Sequence, residues 1–583
     1  MTHHAPAEVQ TMPGVVADES QSTSTVDWAP SRQQKAIIYT IGVLNLIVAL
    51  DASIIVTSLA AIVNDIGGST TEAFWIGTSY LLVNAITMPI ICSVSEVIGR
   101  PVCLTFAISI FTVGTIVCCV AHNIPTLLAG RCVQGFGGGG IHSLGLVVQT
   151  DIVPLRWRPR WYAIILGFWA LGLCLGPVIG GAIAEKTTWR WIFYLMFPIC
   201  AFGLVAVPYL LTLKPMERTA LEKMGRIDWI GGVLFAMSGT ATLIAISWGG
   251  TQHAWDSAAT LVPLILGVVG LAITGVYEQR LAKYPFLEKS LFKDAGSVVT
   301  YVAAVAQGIV TSHSAGLPPA CLGDLPSFIC RPKQVLTIIK LYSALYYCPF
   351  YFMSVKEYTA LQAGVALLPL LFVITVSGMV TGRLVTRFGN YRWPVWIGWF
   401  IGAISPGMVM VWRKNDSAVV WVLTYIIGGL GQGAILNAQN FASQAICNPG
   451  DEGKAAAMYT FSRQVGMSLG VGIGATTFQN VMALKLRWEG LPPSIATHAE
   501  AYLPTLHSLP PGVKRDIIYD AYKFGFQVVF SVSVALSAVT LVMVVFFMKQ
   551  VDMDRKLDTE HTLDTQRMGR HWGAKEQATD DDR

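Results

Sequence analysis

The sequence predicts an all-α protein embedded in a membrane, with fourteen membrane-spanning helices. Of its 583 residues, 53% are hydrophobic and only 13% are charged, whereas about a quarter of the residues in soluble domains are charged. Apolar runs close to the length of about 20 residues that crosses a bilayer recur along the chain. Most of the chain must therefore lie in lipid.

The candidate spans follow one another in a regular series, and the count reaches fourteen if the ninth span is one interrupted helix. They lie near residues 38–63, 74–94, 102–121, 125–149, 162–184, 192–213, 228–247, 259–277, 296–311 with 341–355, 360–381, 393–412, 419–441, 455–482 and 525–548. The polar segments 1–35 and 552–583 lack apolar periodicity, which predicts disordered cytoplasmic tails.

Charge along the connections predicts the orientation. The first, third and seventh connections carry no lysine or arginine, whereas those after even-numbered helices are basic. The basic residues are Arg156, Arg158, Arg160, Lys214, Arg218, Lys223, Arg226, Arg280, Lys283, Lys289, Lys293, Arg383, Arg387 and Arg392. By the positive-inside rule, the even connections and both termini are cytoplasmic. The net charge of +5 mostly reflects this topology, so no nucleic-acid partner is expected.

Internal similarity predicts two related halves. Glu96–Arg100, after the second helix, resembles the stretch Arg383–Arg392 after the tenth, and a Gln-Gly pair begins at Gln134 in the fourth helix and at Gln432 in the twelfth. These pairs have similar offsets and the same order, which indicates two six-helix halves with helices 7 and 8 inserted between them. The predicted boundaries are 36–213, 214–280 and 281–551.

Residues 312–340 interrupt the ninth span. They divide an apolar segment into two pieces that are each short for a membrane helix. Joining Val310 to Leu341 would restore one helix and the even parity that the charge pattern requires. We therefore interpret this stretch as an anomalous insertion or a translated intron, and sequencing the transcript distinguishes the two.

A glycine and proline cluster lies within the fifth span, at Gly172, Gly176, Pro177, Gly180 and Gly181. Small residues at this spacing let a neighbouring helix approach closely, and a proline within a helix frees a carbonyl and bends the helix. A moving transport helix needs such a pattern more than an anchoring span does. Ordinary helix packing is the alternative.

Four further motifs join this cluster in a family resemblance. The cluster resembles the antiporter motif of major facilitator drug exporters, and Arg131, Gln134 and Gly135 resemble the fourth-helix motif of that superfamily. Leu50–Ile55 resembles the first-helix motif of its fourteen-helix drug:proton antiporter branch, and Trp75 with Tyr80, as well as Trp189–Phe193, also fit that branch. The resemblance implies a major facilitator fold, and the chain is most similar to fungal exporters of secondary metabolites and toxins.

One motif departs from the family pattern. In the predicted loop after the second helix, which includes Glu96, Gly99 and Arg100, Cys92 replaces the usual glycine and Val97 replaces an arginine. Glu96 stands in place of an aspartate and retains a charge that can pair with Arg100 or a helix end. The role of this loop as a conformational latch is implied by the resemblance alone.

Three charged residues are candidates for proton coupling. Asp51 lies about halfway along the first helix, Arg131 several residues inside the fourth, and Arg463 at the start of the apolar part of the thirteenth. A charge at the bilayer centre costs about 2.5–3.5 kcal/mol on insertion scales, so a charged residue there indicates a functional or structural role. A carboxyl can exchange a proton, whereas a guanidinium stays charged and tunes a neighbouring acid. Permanent structural ion pairs are the alternative.

Other polar residues leave two interpretations open. His142 is a weaker proton carrier candidate, since a lone histidine in a helix is more often simply hydrogen-bonded. The amides Asn437, Gln439, Asn440 and Gln444 bind a polar substrate or hold helices together. Trp75, Trp169, Tyr346 and Tyr347 suit a flat amphipathic ligand, although aromatic side chains also anchor helices at interfaces.

The predicted function is proton-coupled efflux of a small apolar or amphipathic compound, such as a fungal metabolite, toxin or drug, by a monomer in the plasma membrane. A vacuolar or vesicle membrane is the alternative location. Rival functions are import of a siderophore or another small molecule, and a receptor or scaffold that transports nothing. We predict no enzyme, cofactor or metal, since the sequence has no phosphate-binding loop of the Gly-x-x-x-x-Gly-Lys type and no metal-spaced His or Cys cluster.

Overall fold

The computed structural model describes most of the chain between residues 28 and 553. Residues outside the description are 1–27, 68–69, 213–221, 223–224, 250–252, 254–255, 288, 311–351, 353, 357–361, 363–364, 410–411, 413–415, 498, 500–501, 552 and 554–583. The predicted insertion at 312–340, residues 1–27 of the first predicted tail, all of the second predicted tail except Met553, and Tyr346 and Tyr347 therefore lie outside the described residues. The last residues of the first predicted tail are helical, since α1 begins at Arg32.

The described residues form an all-helical bundle with fourteen helices of 14 residues or more. These are α1 (Arg32–Ile66), α2 (Thr70–Ile98), α3 (Arg100–Cys119), α4 (Ile124–Ile152), α5 (Arg158–Lys186), α6 (Phe197–Leu210), α7 (Trp229–Trp248), α8 (Ala258–Arg280), α9 (Ala295–Val310), α10 (Leu368–Phe388), α11 (Arg392–Val409), α12 (Ala418–Ile446), α13 (Glu452–Trp488) and α14 (Val513–Phe547). Ten segments of the described chain are long and apolar enough to cross a membrane, which is consistent with the predicted count.

Several helices extend beyond the apolar runs that predicted them. α14 begins at Val513, and its first turns carry polar residues before the apolar part starts. Glu96 still belongs to α2, and Arg100 already begins α3. The predicted latch loop is therefore reduced to Gly99, whose φ of +119° disfavours any other residue. Helical hydrogen bonding continues past the lipid because polar residues are compatible with a helix in water.

The contacts between helices repeat from one half to the other. α5 packs on α1 as α13 packs on α9, and α2 and α3 flank α4 as α10 and α11 flank α12. α3 also contacts α6 as α11 contacts α14. The halves meet where α5 packs against α10 and α2 packs against α13. This arrangement is the one expected for two six-helix halves.

Glycines set the closest approaches between helices in both halves. A Cβ added at Gly135 would lie 2.6 Å from the carbonyl oxygen of Tyr80, and one added at Gly433 would overlap the carbonyl oxygen of Ile374. These two glycines are the equivalent positions that the Gln134 and Gln432 pairing predicts. The glycine run after Arg131 is thus explained by backbone contact between helices.

α7 and α8 form a separate pair on the side of the bundle. They pack on each other, and α7 also contacts α2 and α13. Phe235 packs in a small apolar cluster with Leu82, Ile86 and Phe286, and its ring lies 5.3 Å from that of Phe461. The Asp228 side chain caps the start of α7 by accepting from the Gly231 amide at 2.8 Å. The pair of inserted helices therefore contacts both halves through α7.

One end of the bundle collects both ends of the described chain, and we call it the terminal end. Gln33, at the start of α1, donates to the Leu210 carbonyl at 3.1 Å, and Gln34 donates to the Ile152 carbonyl at 3.2 Å. The Tyr391 hydroxyl donates to the Lys549 carbonyl at 2.7 Å just after α14. The charge pattern predicts that this end faces the cytoplasm.

We expect epitope tags fused to the two ends of the chain to bind antibody only after the plasma membrane is permeabilised. Both tags would lie on the same side of the membrane as the basic connections, which the positive-inside rule places in the cytoplasm. Immunolabelling of intact and permeabilised cells measures this. Labelling of either tag in intact cells would contradict the orientation, and an antibody against an external epitope of another protein provides the control.

Candidate functional site

Asp51 and Arg131 form an ion pair inside the N-terminal half. The Arg131 Nη1 donates to Asp51 Oδ2 at 2.7 Å, and the two side chains are 1% and 0% exposed. Gln134, one turn along α4, donates from Nε2 to Asp51 Oδ1 at 3.0 Å. Both carboxylate oxygens therefore have a donor. The structure brings together the two residues that the sequence named first as coupling candidates.

Arg131 is held by further contacts. Its Nε donates to the Ile76 carbonyl at 3.1 Å, and its Nη1 also donates to Gln134 Oε1 at 2.7 Å. The guanidinium carbon lies 4.4 Å from the centre of the Tyr80 ring, as in a cation–π contact. The pair thus connects α1, α2 and α4 through one arginine.

The predicted antiporter cluster is the surface of α5 that packs against α1. A Cβ at Gly172 would reach the Leu46 carbonyl at 2.5 Å, and one at Gly176 would overlap Ser53 Oγ. Ser58 Oγ donates to the Gly180 carbonyl at 2.9 Å. α5 continues through Pro177 to Lys186, past Gly181. These contacts hold α1 and α5 together over most of their shared length.

The predicted latch residues lie at the terminal end and join the two halves. Arg100 Nε donates to Asp151 Oδ2 at 3.1 Å, and Arg100 Nη2 lies 3.8 Å from Glu96 Oε1. Glu96 Oε2 in turn lies 3.5 Å from Lys454 Nζ, on α13 of the second half. Glu96 therefore has a partner in each half, although the motif around it departs from the family pattern.

A second polar connection between the halves involves Arg158 at the start of α5. Its Nη1 donates to Gln444 Oε1 on α12 at 3.2 Å, while its Nε and Nη2 donate to the carbonyls of Val153 and Thr150. Asn437 Nδ2 donates to the Pro159 carbonyl at 3.3 Å. The α12 amides at these two positions contact α5 directly, which is one of the two roles predicted for them.

Arg463 and His142 meet where α13 of the second half faces α4 of the first. Arg463 Nη2 lies 3.3 Å from His142 Nε2, and the other ring nitrogen of His142 lies 2.8 Å from Asn45 Oδ1. The guanidinium carbon of Arg463 lies 5.3 Å from the centre of the Trp169 ring. Arg463 is 3% exposed, so its position does not allow the charge to reach the membrane surface.

At the opposite end, the Trp189–Phe193 motif caps the end of α1. Trp189 Nε1 donates to Asp65 Oδ2 at 2.8 Å, and Arg190 Nη1 donates to the same oxygen at 3.1 Å. The hydrogen bond from Trp189, followed by that from Arg190, lowers the pKa of the Asp65 carboxyl. Arg190 also donates to the Ala121 carbonyl at 3.0 Å, so the motif ties α1 to the loop before α4.

Sequence reasoning missed some of these positions. Arg158 was counted as a basic loop residue, yet it is buried and begins α5. Asn45 lies in the apolar first helix, and a polar residue there was an available signal. Asp151 and Lys454 gave no signal, because their partners are distant in the sequence.

Comparisons with known proteins agree with this architecture. The family model described as Major Facilitator Superfamily matches residues 41–471. The MFS transporter L2 of Phoma sp. is 35% identical over 522 residues, which cover 88% of this chain and 82% of that protein. The MFS-type efflux pump LUC4 of Fusarium sp. is 31% identical over 538 residues, which cover 91% of this chain and 90% of that protein.

Among solved structures, the human organic anion transporter MFSD10 superposes with a TM-score of 0.51 at 12% identity. The match covers 88% of this chain and 100% of that one, and at this identity it shows the fold alone. The family match runs from α1 into α13, and each of these two fungal relatives covers at least 88% of the chain. The protein is therefore a multi-pass membrane transporter, not an enzyme, and it belongs to the Major Facilitator Superfamily.

Proposed function

We propose that this protein exports a small apolar or amphipathic organic compound, of the fungal metabolite, toxin or drug class, in exchange for protons. The observation that carries the proposal is the fully buried Asp51 carboxylate with Arg131 as its partner. Fungal relatives named efflux pumps support the direction of transport. The protein would act in the plasma membrane as a monomer, with both termini in the cytoplasm.

Protonation of Asp51 would weaken the contact between α1 and α4. An ionised carboxylate accepts hydrogen bonds from Arg131 and Gln134, and charge-assisted bonds of this kind are about twice as strong as neutral ones. A neutral carboxyl carries a proton on one of its two oxygens. That proton would point at a group that is itself a hydrogen-bond donor, either Arg131 or Gln134. Protonation of Asp51 therefore weakens its hydrogen bonds with Arg131 and Gln134, while all three side chains stay in place.

The glycine contacts between α1 and α5 give this loosening a mechanical consequence. Because α1 is packed on α5 at Gly172 and Gly176, the two helices move as one unit when α1 separates from α4. α5 also contacts α10 of the second half. A proton at Asp51 is thus proposed to change how the halves meet, so that opposite protonation states favour opposite-facing conformations.

Deleting the gene and measuring compounds inside and outside the cell tests export against its rivals. We expect the exported compound to accumulate inside cells that lack the protein. The compound identified in this way is then loaded into vesicles that hold the purified protein, and an imposed pH step should drive its movement. Failed uptake after deletion would instead support an importer, and unchanged fluxes would support a receptor or scaffold.

A further inference from the structure

Among the residues that the structure describes, Arg463 is a buried charge without an opposite charge beside it. Its contacts are the His142 ring nitrogen at 3.3 Å, the Met467 sulfur at 3.8 Å and the face of Trp169. Across the part of the chain that the structure describes, no carboxylate forms an ion pair with it. Arg131, which is equally buried, has Asp51. The two arginines therefore differ in what balances their charge.

The hydrogen bonds around His142 show which of its two ring nitrogens accepts from Arg463. Asn45 Nδ2 donates to the Ile41 carbonyl at 2.9 Å, which turns the Asn45 Oδ1 acceptor toward His142 Nδ1. Nδ1 must then carry the proton, and Nε2 is left to accept from Arg463. This arrangement assigns a neutral imidazole that orients the guanidinium.

The surroundings of Arg463 suit an organic ligand. Trp169 on α5 is only partly buried and presents its ring to the guanidinium. Tyr162 and Tyr459 are buried within electrostatic reach of Arg463, and the Tyr162 ring packs edge-on against Phe441 at 5.6 Å. Aromatic side chains of both halves thus lie near one positive charge, and a carboxylate on an apolar body complements this combination.

We propose that Arg463, His142 and Trp169 form the subsite that binds an acidic group of the transported compound, so that the substrate is an organic anion with an apolar or aromatic body. This inference rests on the proposed function, since it names the substrate class of the same transporter. Arg463 would contact the anion, His142 would hold the guanidinium in place, and Trp169 would cover the apolar part of the ligand.

The subsite is separate from the proposed proton site, although both use α1 and α4. Asn45 precedes Asp51 by six residues of α1, which is about 9 Å along the helix axis. His142 follows Arg131 by eleven residues of α4, which is about 16 Å. An anion at Arg463 would therefore act on Asp51 through the two shared helices, not by direct contact.

Binding to the purified full-length protein at constant pH, without a gradient, tests the subsite. The probes are two pairs that differ only in charge, 1-naphthoate with 1-naphthamide and octanoate with octanamide, measured by calorimetry. We expect the protein to bind each carboxylate about tenfold more tightly than its amide. Arg463→Gln should remove this preference and Arg463→Lys should retain part of it. Trp169→Ala should weaken the binding of 1-naphthoate and of 1-naphthamide to the same extent.

Arg160→Gln is the matched control, because it removes the same charge from an exposed arginine on α5 and should leave the preference unchanged. Equal affinity for acid and amide in the unmodified protein, or no binding of either pair, would overturn the proposal even if Arg463→Gln did not fold. A preference that survives in a folded Arg463→Gln would also overturn it. If the unmodified protein bound the carboxylates more tightly than the amides but showed no export driven by a pH step, only the proton-coupled function would be contradicted.

Discussion

Asp51→Asn is expected to abolish export driven by a pH gradient while the protein remains folded and able to bind its substrate. The amide retains the shape of the side chain and cannot exchange a proton. Asp51 is protonated, and therefore neutral, in one state of the proposed cycle, so the fold should also tolerate a neutral asparagine at this position. Arg131 would keep its contacts with the Ile76 carbonyl, Gln134 and the Tyr80 ring.

Efflux from vesicles after an imposed pH step measures this effect, and thermal unfolding of the same preparation confirms the fold. Asp65→Asn is the matched control, because it makes the same change on the same helix at a side chain that is 52% exposed. It should export normally. Gradient-driven export that survived in Asp51→Asn would exclude this carboxylate as the coupling group.

Arg131→Ala separates coupling from stability at the same pair. It leaves Asp51 buried without its counter-charge, and breaking a buried ion pair in this way destabilises a protein by about 3–5 kcal/mol. We therefore expect this variant to lose both coupling and part of its stability. Adding Asp51→Asn in the same chain should recover stability without recovering export, because the stranded charge is then removed.

Gly176→Val is expected to prevent α1 and α5 from packing, with a large loss of folded protein. A Cβ at this position would overlap Ser53 Oγ and lie 3.0 Å from the Ile54 amide nitrogen, and valine adds two more methyl groups. Overpacking a close contact costs about 1–3 kcal/mol or more. Gly176→Ala should show a smaller loss of the same kind. Yield and thermal unfolding in detergent measure both variants.

Gly167→Ala is the control for this prediction, since Gly167 lies on the same helix with Thr375 Cγ2, at 3.9 Å, as its nearest neighbour. A methyl group fits there, and alanine favours a helix more than glycine does. We expect no loss of stability. If Gly176→Val folded as well as Gly167→Ala, the close approach of α1 and α5 would not be needed for the fold.

Local patterns were enough to predict the membrane fold and most of the helices. Composition and apolar runs depend on residues close together in the chain, and lipid leaves few alternatives to a helix. The glycine pairs at Gly135 and Gly433 also predicted the repeat, because the same close contact recurs in each half. Helix ends were less predictable, since a helix continues into water where the apolar signal stops.

The sequence by itself determined the membrane class, the order of the helices, the two halves and the residues whose charge is expensive in lipid. Only the tertiary structure decided which of those charges are paired. Asp51 meets Arg131 across 80 residues, and Arg463 meets His142 across 321. Helical periodicity says which residues share a face, whereas the partner of that face depends on where glycines let two backbones approach. For that reason one buried arginine has a carboxylate beside it, and the other does not among the described residues.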